Sequence, residues 1–290
     1  MRMEILAART PQWAAVVAQA SQLIDGPGFR PLKQSARTVA GFAVVDGITV
    51  FIKRVDEGPW LKGWIQRVRG SRARRMLRGA AMLKSAGFAR PEPFAAAEAR
   101  SRGSVQASYV VSEALEHARV MSAVVLAGGR RNFHRRCAVS RVIATEIRRL
   151  HDAGIYTLDL QETNVMLSGG DGVEWKIHFV DLEDCRSARA VSQRRRMLNL
   201  VHLDRTIGRY LPRSQRLRFL YNYLGRQPER AEARRLVVRF FALRERAERR
   251  ARSHRAAVPA RPFEARDYAT GCGAIAHAPG DRRDPNDFSR

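Results

Sequence analysis

Acidic residues, lysine and cysteine are all scarce in this chain, and each shortage narrows what it can be. Its 290 residues hold 28 Asp and Glu against 53 Lys and Arg, a formal net charge of +25. The lysines are only Lys33, Lys53, Lys62, Lys84 and Lys176, so nearly all the cations are arginine. Such a balance argues against cationic ligands and for an anionic partner: nucleic acid, an acidic membrane surface or a phosphorylated substrate. A GC-rich genome is the bland source of the same arginine bias. Cys137, Cys185 and Cys272 are scattered and form no C-x-x-C. Neither a disulfide framework nor a zinc site is supported, and a reducing, cytosolic setting is expected. No apolar run approaches the roughly 20 residues of a membrane span. Ala18-Gln19-Ala20 has the small residues of a signal-peptidase site. Glu4, Arg9 and Gln12 interrupt the hydrophobic region that should precede it, so no cleaved signal is expected. The P-loop pattern G-x-x-x-x-G-K-[ST] is missing. So are helix-turn-helix, finger and aromatic-sheet signatures, and no nucleic-acid partner is expected.

What is present centres on residues 150–184, LHDAGIYTLDLQETNVMLSGGDGVEWKIHFVDLED. Asp159 and Asn164 stand in a D-x-x-x-x-N spacing, and the apolar run Ile177–Val180 delivers Asp181. These types suit phosphoryl transfer. A carboxylate orients the attacking hydroxyl and accepts its proton, while an amide and a second carboxylate are hard oxygen ligands for Mg²⁺ on the phosphates.

Ahead of this stretch, a short helix fits between Pro11 and Ile24. Thr38–Val45 and Ile48–Val55 read as a hairpin joined by Asp46-Gly47. Period-2 alternation puts Lys53 on one face with Phe51 and Val55, and Ile52 on the other. An edge-strand lysine that discourages aggregation would read the same way. The preceding segment, Arg30–Arg37, has no glycine. A helix is expected from the N-cap Ser71 to about Gly87. Arg72, Arg74 and Arg75 fall in its first turn, at the positive end of its dipole, where an anion could offset the repulsion. Trp60, Trp64, Ile65 and Val68, interleaved with cations, suit a membrane interface; a solvated basic face is the alternative. Pro91-Glu92-Pro93 breaks the chain. Tyr109–Leu115 reads as a buried strand running into an exposed connection, with a domain boundary near Glu116.

Val139, Val142, Ile143, Ile147 and Leu150 form a helical apolar stripe, and His151 is expected to cap that helix or bond the following loop. Helices are also expected over Arg194–Leu211, over Ser214–Leu224, and from about Pro228 as an N1 proline. The Ala257–Arg290 segment has the composition of a disordered or loosely attached tail.

Taken in order, Lys53, hinge, core helix, D-x-x-x-x-N and a later Asp resemble the protein-kinase fold. The central stretch, with the upstream SRARRMLRGAAMLKSAGFARPEP, resembles more narrowly the lipopolysaccharide kinase family, the Kdo and core heptose kinases, over about Arg30 to Leu224. That resemblance implies an α+β, bilobal kinase-like fold: a β-rich N-lobe over 1–116 and a mainly helical C-lobe over 117–256. It implies ATP and Mg²⁺, and transfer to a sugar hydroxyl of the inner core. The acceptor is lipid-linked lipopolysaccharide at the cytoplasmic face of the inner membrane, where the enzyme is peripheral and has no obligate protein partner. Asp159 would be the catalytic base, Asn164 and Asp181 the metal ligands, and Lys53 the phosphate lysine. Backbone groups around Glu113–Leu115 would hold adenine, and Arg72, Arg74 and Arg75 would contact phosphates of the acceptor or the anionic leaflet.

Two positions depart from the family pattern. Thr157 stands where a loop-bracing histidine is common. No acidic residue lies between Glu57 and Glu92, so the helix from Ser71 lacks the glutamate that pairs with the lysine. Lys53 must then find another partner, Glu57 or Glu92 being candidates, or work unpaired, or the site is weakened. Two other readings share parts of this pattern: a pseudokinase docking on membrane or lipid phosphates, and a small-molecule phosphotransferase of the aminoglycoside or choline type. The basic balance disfavours the second.

Overall fold

The computed structural model describes residues 1–57, 69–127, 133–170, 173–225 and 229–256. The tryptophan-containing stretch Trp60–Val68, the N1 proline Pro228 and the 257–290 tail lie outside the described residues.

An antiparallel sheet forms the N-terminal half. Its strands are β1 (Arg2–Ala8), β2 (Arg30–Gln34), β3 (Thr38–Val45), β4 (Ile48–Asp56), β5 (Pro93–Ser101) and β6 (Ser104–Glu113), in the order β1-β5-β6-β4-β3-β2. The β3–β4 hairpin turns where expected, with Asp46 and Gly47 at φ of 48° and 76°, as a two-residue hairpin turn that follows the strand twist requires. Along β4, Val50 and Ile52 enter the core beneath α1 (Pro11–Ala18) and α2 (Ala20–Asp25). Thr10 caps α1 by accepting from the Trp13 amide, and Trp13 stacks on Phe94 at 4.6 Å. Lys53 faces the other way, in register with Ala40 and Val110.

β1 and β5 were not visible in the sequence. β5 is built on Ala95, Ala96, Ala97 and Ala99, all essentially inaccessible, and alanine has little intrinsic preference for strands. The alanines serve close packing. Ala95, Ala97 and Ala99 lie under α1, while Ala96 meets Ala73 of α3 (Arg72–Ser85) on the opposite face.

α3 begins and ends as its sequence predicts. Ser71 Oγ accepts from the Arg74 amide at 3.1 Å, and Gly87 follows the helix at φ 72°. It belongs to both halves: Ala73 packs on the sheet, whereas Ala80 and Leu83 join the C-terminal core.

That core surrounds α5 (Phe133–Asp152), which follows β7 (Arg119–Val120) and α4 (Met121–Leu126). Val139, Ile143, Ile147 and Leu150 are buried along α5, with Val142 packed at its margin. Then come β8 (Ile155–Thr157), β9 (Val165–Gly170), β10 (Val173–Phe179) and β11 (Cys185–Ser187), and the helices α6 (Gln193–Ile207), α7 (Arg213–Leu224) and α8 (Arg230–Ala256). β9 pairs with β7 and β10, and β8 with β11. Two single turns of 3₁₀ helix, Glu162–Asn164 and Leu182–Asp184, interrupt these short strands.

The second 3₁₀ turn sits directly against α3. A Cβ placed on Gly79 would lie 2.2 Å from the Leu182 carbonyl oxygen, so only glycine permits this approach. Gly79→Ala is therefore expected to lower stability by about 1–3 kcal/mol, the usual range for overpacking. Urea unfolding checks this; an unchanged midpoint would mean that the helix and the turn are not in contact.

Candidate active site

Asp159 follows β8 on a loop fixed from several sides. Its amide donates to Thr157 Oγ1 at 3.2 Å. Its Oδ2 accepts from Gln161 Nε2 at 2.8 Å and from Asn164 Nδ2 at 3.2 Å. Asn164 Nδ2 also reaches the Asp159 carbonyl at 3.0 Å. The Asn164 carbonyl accepts from the Val180 amide at 3.0 Å, which brings Asp181 beside it. Asp181 itself sits in the left-handed region at φ 56°, ψ 56°. A non-glycine residue held there marks a constrained backbone. Lys53 Nζ donates to Asp181 Oδ1 at 2.6 Å. Lys53, Asp159, Asn164 and Asp181 therefore converge on one site.

The partners of Lys53 differ from expectation. Glu57 instead accepts from the Arg72 amide and the Ser108 hydroxyl, and Glu92 pairs with Lys84 and Arg90. The second partner is Glu183, at 3.1 Å from Lys53 Nζ. The 3₁₀ turn after Asp181 aims this carboxylate at both the strand and the helix, and its side chain is only 7% exposed. The same carboxylate takes Arg72 Nη1 at 3.1 Å and lies 3.7 Å from Arg75. A helix–lysine link is present with the charges inverted: the helix carries cations, and the acid comes from the turn.

This corrects the account of the α3 N-terminus. Arg72 and Arg75 are met by Glu183, and Arg74 by Glu98 at 2.8 Å and Glu4 at 3.2 Å. The anions that the first turn calls for come from within the chain. Burial alone would raise the Asp181 carboxyl, but Lys53 holds it below its ordinary value. Glu183 is raised by burial despite the pull of Lys53 and Arg72. Burial opposes the charge on Lys53, yet the two carboxylates raise its pKa. Asp181 is thus the firmer anion of the two acids.

At the connection after β6, the Glu113 amide donates to the Glu92 carbonyl at 2.9 Å, and the Leu115 carbonyl accepts from Ala118 at 3.1 Å. These bonds occupy the Glu113 amide and the Leu115 carbonyl.

The loop brace expected from a histidine at 157 comes from α6. Asn199 Nδ2 donates to the Thr157 carbonyl at 2.8 Å, and its Oδ1 faces His151 Nε2 at 3.1 Å. His151 Nδ1 meets the Tyr223 hydroxyl at 2.7 Å. With Asn199 Oδ1 as acceptor, the proton sits on Nε2, and Tyr223 donates to Nδ1. His151 thus supports the loop through Asn199 rather than by capping its helix. A further group missed in the sequence is His202, with Nδ1 3.7 Å from Asp159 Oδ1. Neither Asn199 nor His202 stands in a motif. Glu183 had a signal: three arginines in one helical turn with no acid nearby in sequence.

The family model for the lipopolysaccharide kinase (Kdo/WaaP) family matches residues 62–223. The chain belongs to that family. A comparison with curated proteins finds no match. Among solved structures, a structure described as WaaP in complex with acyl carrier protein is similar at 21% identity, with a TM-score of 0.60. The similarity covers 86% of this chain and 99% of that one, and it shows the same fold. Membership of the lipopolysaccharide kinase family makes the chain a phosphotransferase.

Among the described residues no group of three or more His, Cys, Asp or Glu is placed to bind a metal. Asn164 and Asp181, joined through the Val180 amide, offer a sparse, hard oxygen pair. That fits Mg²⁺, which keeps several waters and leans on substrate phosphates rather than on a protein cage.

Two expectations follow. Glu183→Ala should cost about 3 kcal/mol, as removal of one member of a buried ion pair does. Combined with Arg72→Ala it should cost less than the sum of the single changes in chemical denaturation, and strict additivity would remove Glu183 as the link. His151 is pushed down to about 4, chiefly by burial. Its unfolded form binds a proton below about pH 6.5, so the unfolded state holds more protons between there and pH 4, and stability falls with pH across that window. The loss approaches about 3 kcal/mol. Melting temperatures recorded from pH 7 to 4 should show a slope that His151→Gln flattens.

Proposed function

We propose that this chain is an ATP-dependent kinase that phosphorylates a sugar hydroxyl, on Kdo or heptose, of the lipopolysaccharide inner core. The observation that carries the reading is the division of labour on Asp159. Two amide donors occupy Oδ2, from Gln161 and Asn164, leaving Oδ1 to take the hydrogen bond of an acceptor hydroxyl. A carboxylate so oriented directs the hydroxyl oxygen and receives its proton as the bond to phosphorus forms. Lys53 lies between Asp181 and Glu183, where its ammonium can pass to the nucleotide phosphates. Asn164 Oδ1 and the Asp181 carboxylate would hold Mg²⁺, which supplies positive charge to the phosphate oxygens during transfer. The Glu113 carbonyl and the Leu115 amide would face adenine.

The place of action follows from charge. A net +25, mostly arginine, suits an acceptor already bearing phosphate and an anionic leaflet, since guanidinium grips phosphate through two parallel hydrogen bonds. We place the chain peripherally on the cytoplasmic face of the inner membrane. WaaP was solved in complex with acyl carrier protein, which makes such a carrier a candidate partner here, beyond the lipid-linked acceptor alone. The pseudokinase alternative loses its main motive, because Glu183 supplies the acid that α3 lacks.

The test is ATP consumption by the purified protein with Mg²⁺ and lipopolysaccharide or its Kdo–lipid A precursor. Asp159→Ala should cut turnover by about 10²–10⁴-fold, the range of general-base catalysis, while nucleotide binding persists. Asp181→Ala should abolish Mg-ATP binding in calorimetry. Wild-type turnover by the first variant would overturn the reading. Soluble aminoglycosides or choline outcompeting lipopolysaccharide as acceptors would replace it with the small-molecule phosphotransferase.

A further inference from the structure

His202 lies on α6, and its ring is about one-third exposed. Its Nδ1 is nevertheless enclosed and has no hydrogen-bond partner. An enclosed ring nitrogen without a partner carries a desolvation penalty, so its direction matters: it faces Asp159 Oδ1 at 3.7 Å. This is the carboxylate oxygen that Gln161 and Asn164 leave untouched, since both donate to Oδ2. One oxygen of Asp159 is therefore held by neutral donors, and the other is shared between the space for an acceptor and one imidazole.

We propose that His202 is the relay to which Asp159 hands the proton of the acceptor hydroxyl. The inference rests on the kinase reading of the site. In the step, the acceptor oxygen bonds to the γ-phosphorus, and the bond from that phosphorus to the bridging oxygen breaks with its electron pair leaving on ADP. The hydroxyl proton passes to Asp159 Oδ1 and then to His202 Nδ1. The imidazolium gives its Nε2 proton to water on the exposed side, Asp159 is again a base, and proton exchange with solvent returns the ring to its Nε2–H form before the next turnover. Accepting at Nδ1 requires the neutral ring with its proton on Nε2.

The surroundings favour that neutral form before the reaction. Burial lowers the affinity of His202 for a proton, Asp159 raises it, and Arg205, one turn further along α6, lowers it, with the balance below the ordinary value. His202 is argued to act through Asp159, so it is a positioning and relay residue rather than one that touches substrate.

Two measurements test this. In the Mg-ATP and lipopolysaccharide assay, His202→Gln should lower kcat by about tenfold, less than the 10²–10⁴ that a general base supplies. The KM for ATP should be unchanged, and the acidic limb of the pH–rate profile should shift. Added imidazole should restore part of the rate of His202→Ala. His202→Gln turning over at the wild-type rate with the wild-type pH profile would overturn the proposal. The second measurement needs no turnover. The His202 ring is titrated by NMR in the wild-type chain and in Asp159→Asn, where loss of the facing charge should lower its midpoint. An unchanged midpoint would sink the relay even if the chain is a kinase. A shifted midpoint in a chain that consumes no ATP with any lipopolysaccharide would instead count against the kinase reading while leaving the His202–Asp159 coupling in place.

Discussion

A single buried carboxylate, Glu183, holds the two halves of this protein in working register. It lies within reach of Lys53 on the sheet and of Arg72 and Arg75 on α3, and its own turn begins at Asp181. Remove it, and Arg72 and Arg75 lose the acid they share beside Lys53, which keeps only Asp181. The order of charges explains the geometry. A lysine and a cationic helix cannot approach one another directly, so an acid must stand between them. The segment that reaches both with Glu183 also carries the expected metal ligand. Sheet, helix and turn are thereby linked through one side chain, beside the apolar contacts that pack α3 on both.

The same logic recurs wherever acids are rare. Glu98 serves both Arg74 and Arg100, and Asp204 serves Arg216 and Arg244. Arginine suits this use because its planar fork can hold a carboxylate while its edge or face packs elsewhere. Arg149 lies 4.1 Å over the Phe88 ring while also bonding the Gly87 carbonyl. Arg216 combines its ion pair with a position 4.8 Å over Phe241. Some of the arginines are thus internal mortar, while the formal net charge of +25 is left to meet an outside anion.

The β3–β4 hairpin, α3 with both its caps, α5 and the Asp159–Asn164–Asp181 series were legible in the sequence. Each is specified locally, by a turn dipeptide, a cap, a periodic stripe or a fixed spacing. β1 and β5 were not legible; the alanine strand β5 is chosen by the closeness of helices on both faces and not by its own propensity. Glu57 and Glu92 are the acids nearest α3 in sequence, but nearness in sequence is not nearness in space. Glu183 is 130 residues from Lys53, and only the folded turn puts them together. The Thr157 departure looked like a loss for a similar reason. Its replacement, Asn199 backed by His151 and Tyr223, is assembled from three separate helices.

Gly79 bears on how such an enzyme could be governed. Many kinase-like enzymes are switched by swinging the helix that corresponds to α3 outward, which needs a smooth, loosely packed seam. Here backbone meets backbone at Gly79 and Leu182 with no side chain between to act as a bearing. Swinging α3 outward would break that contact outright, so the helix and the turn that carries Glu183 are expected to move as one body.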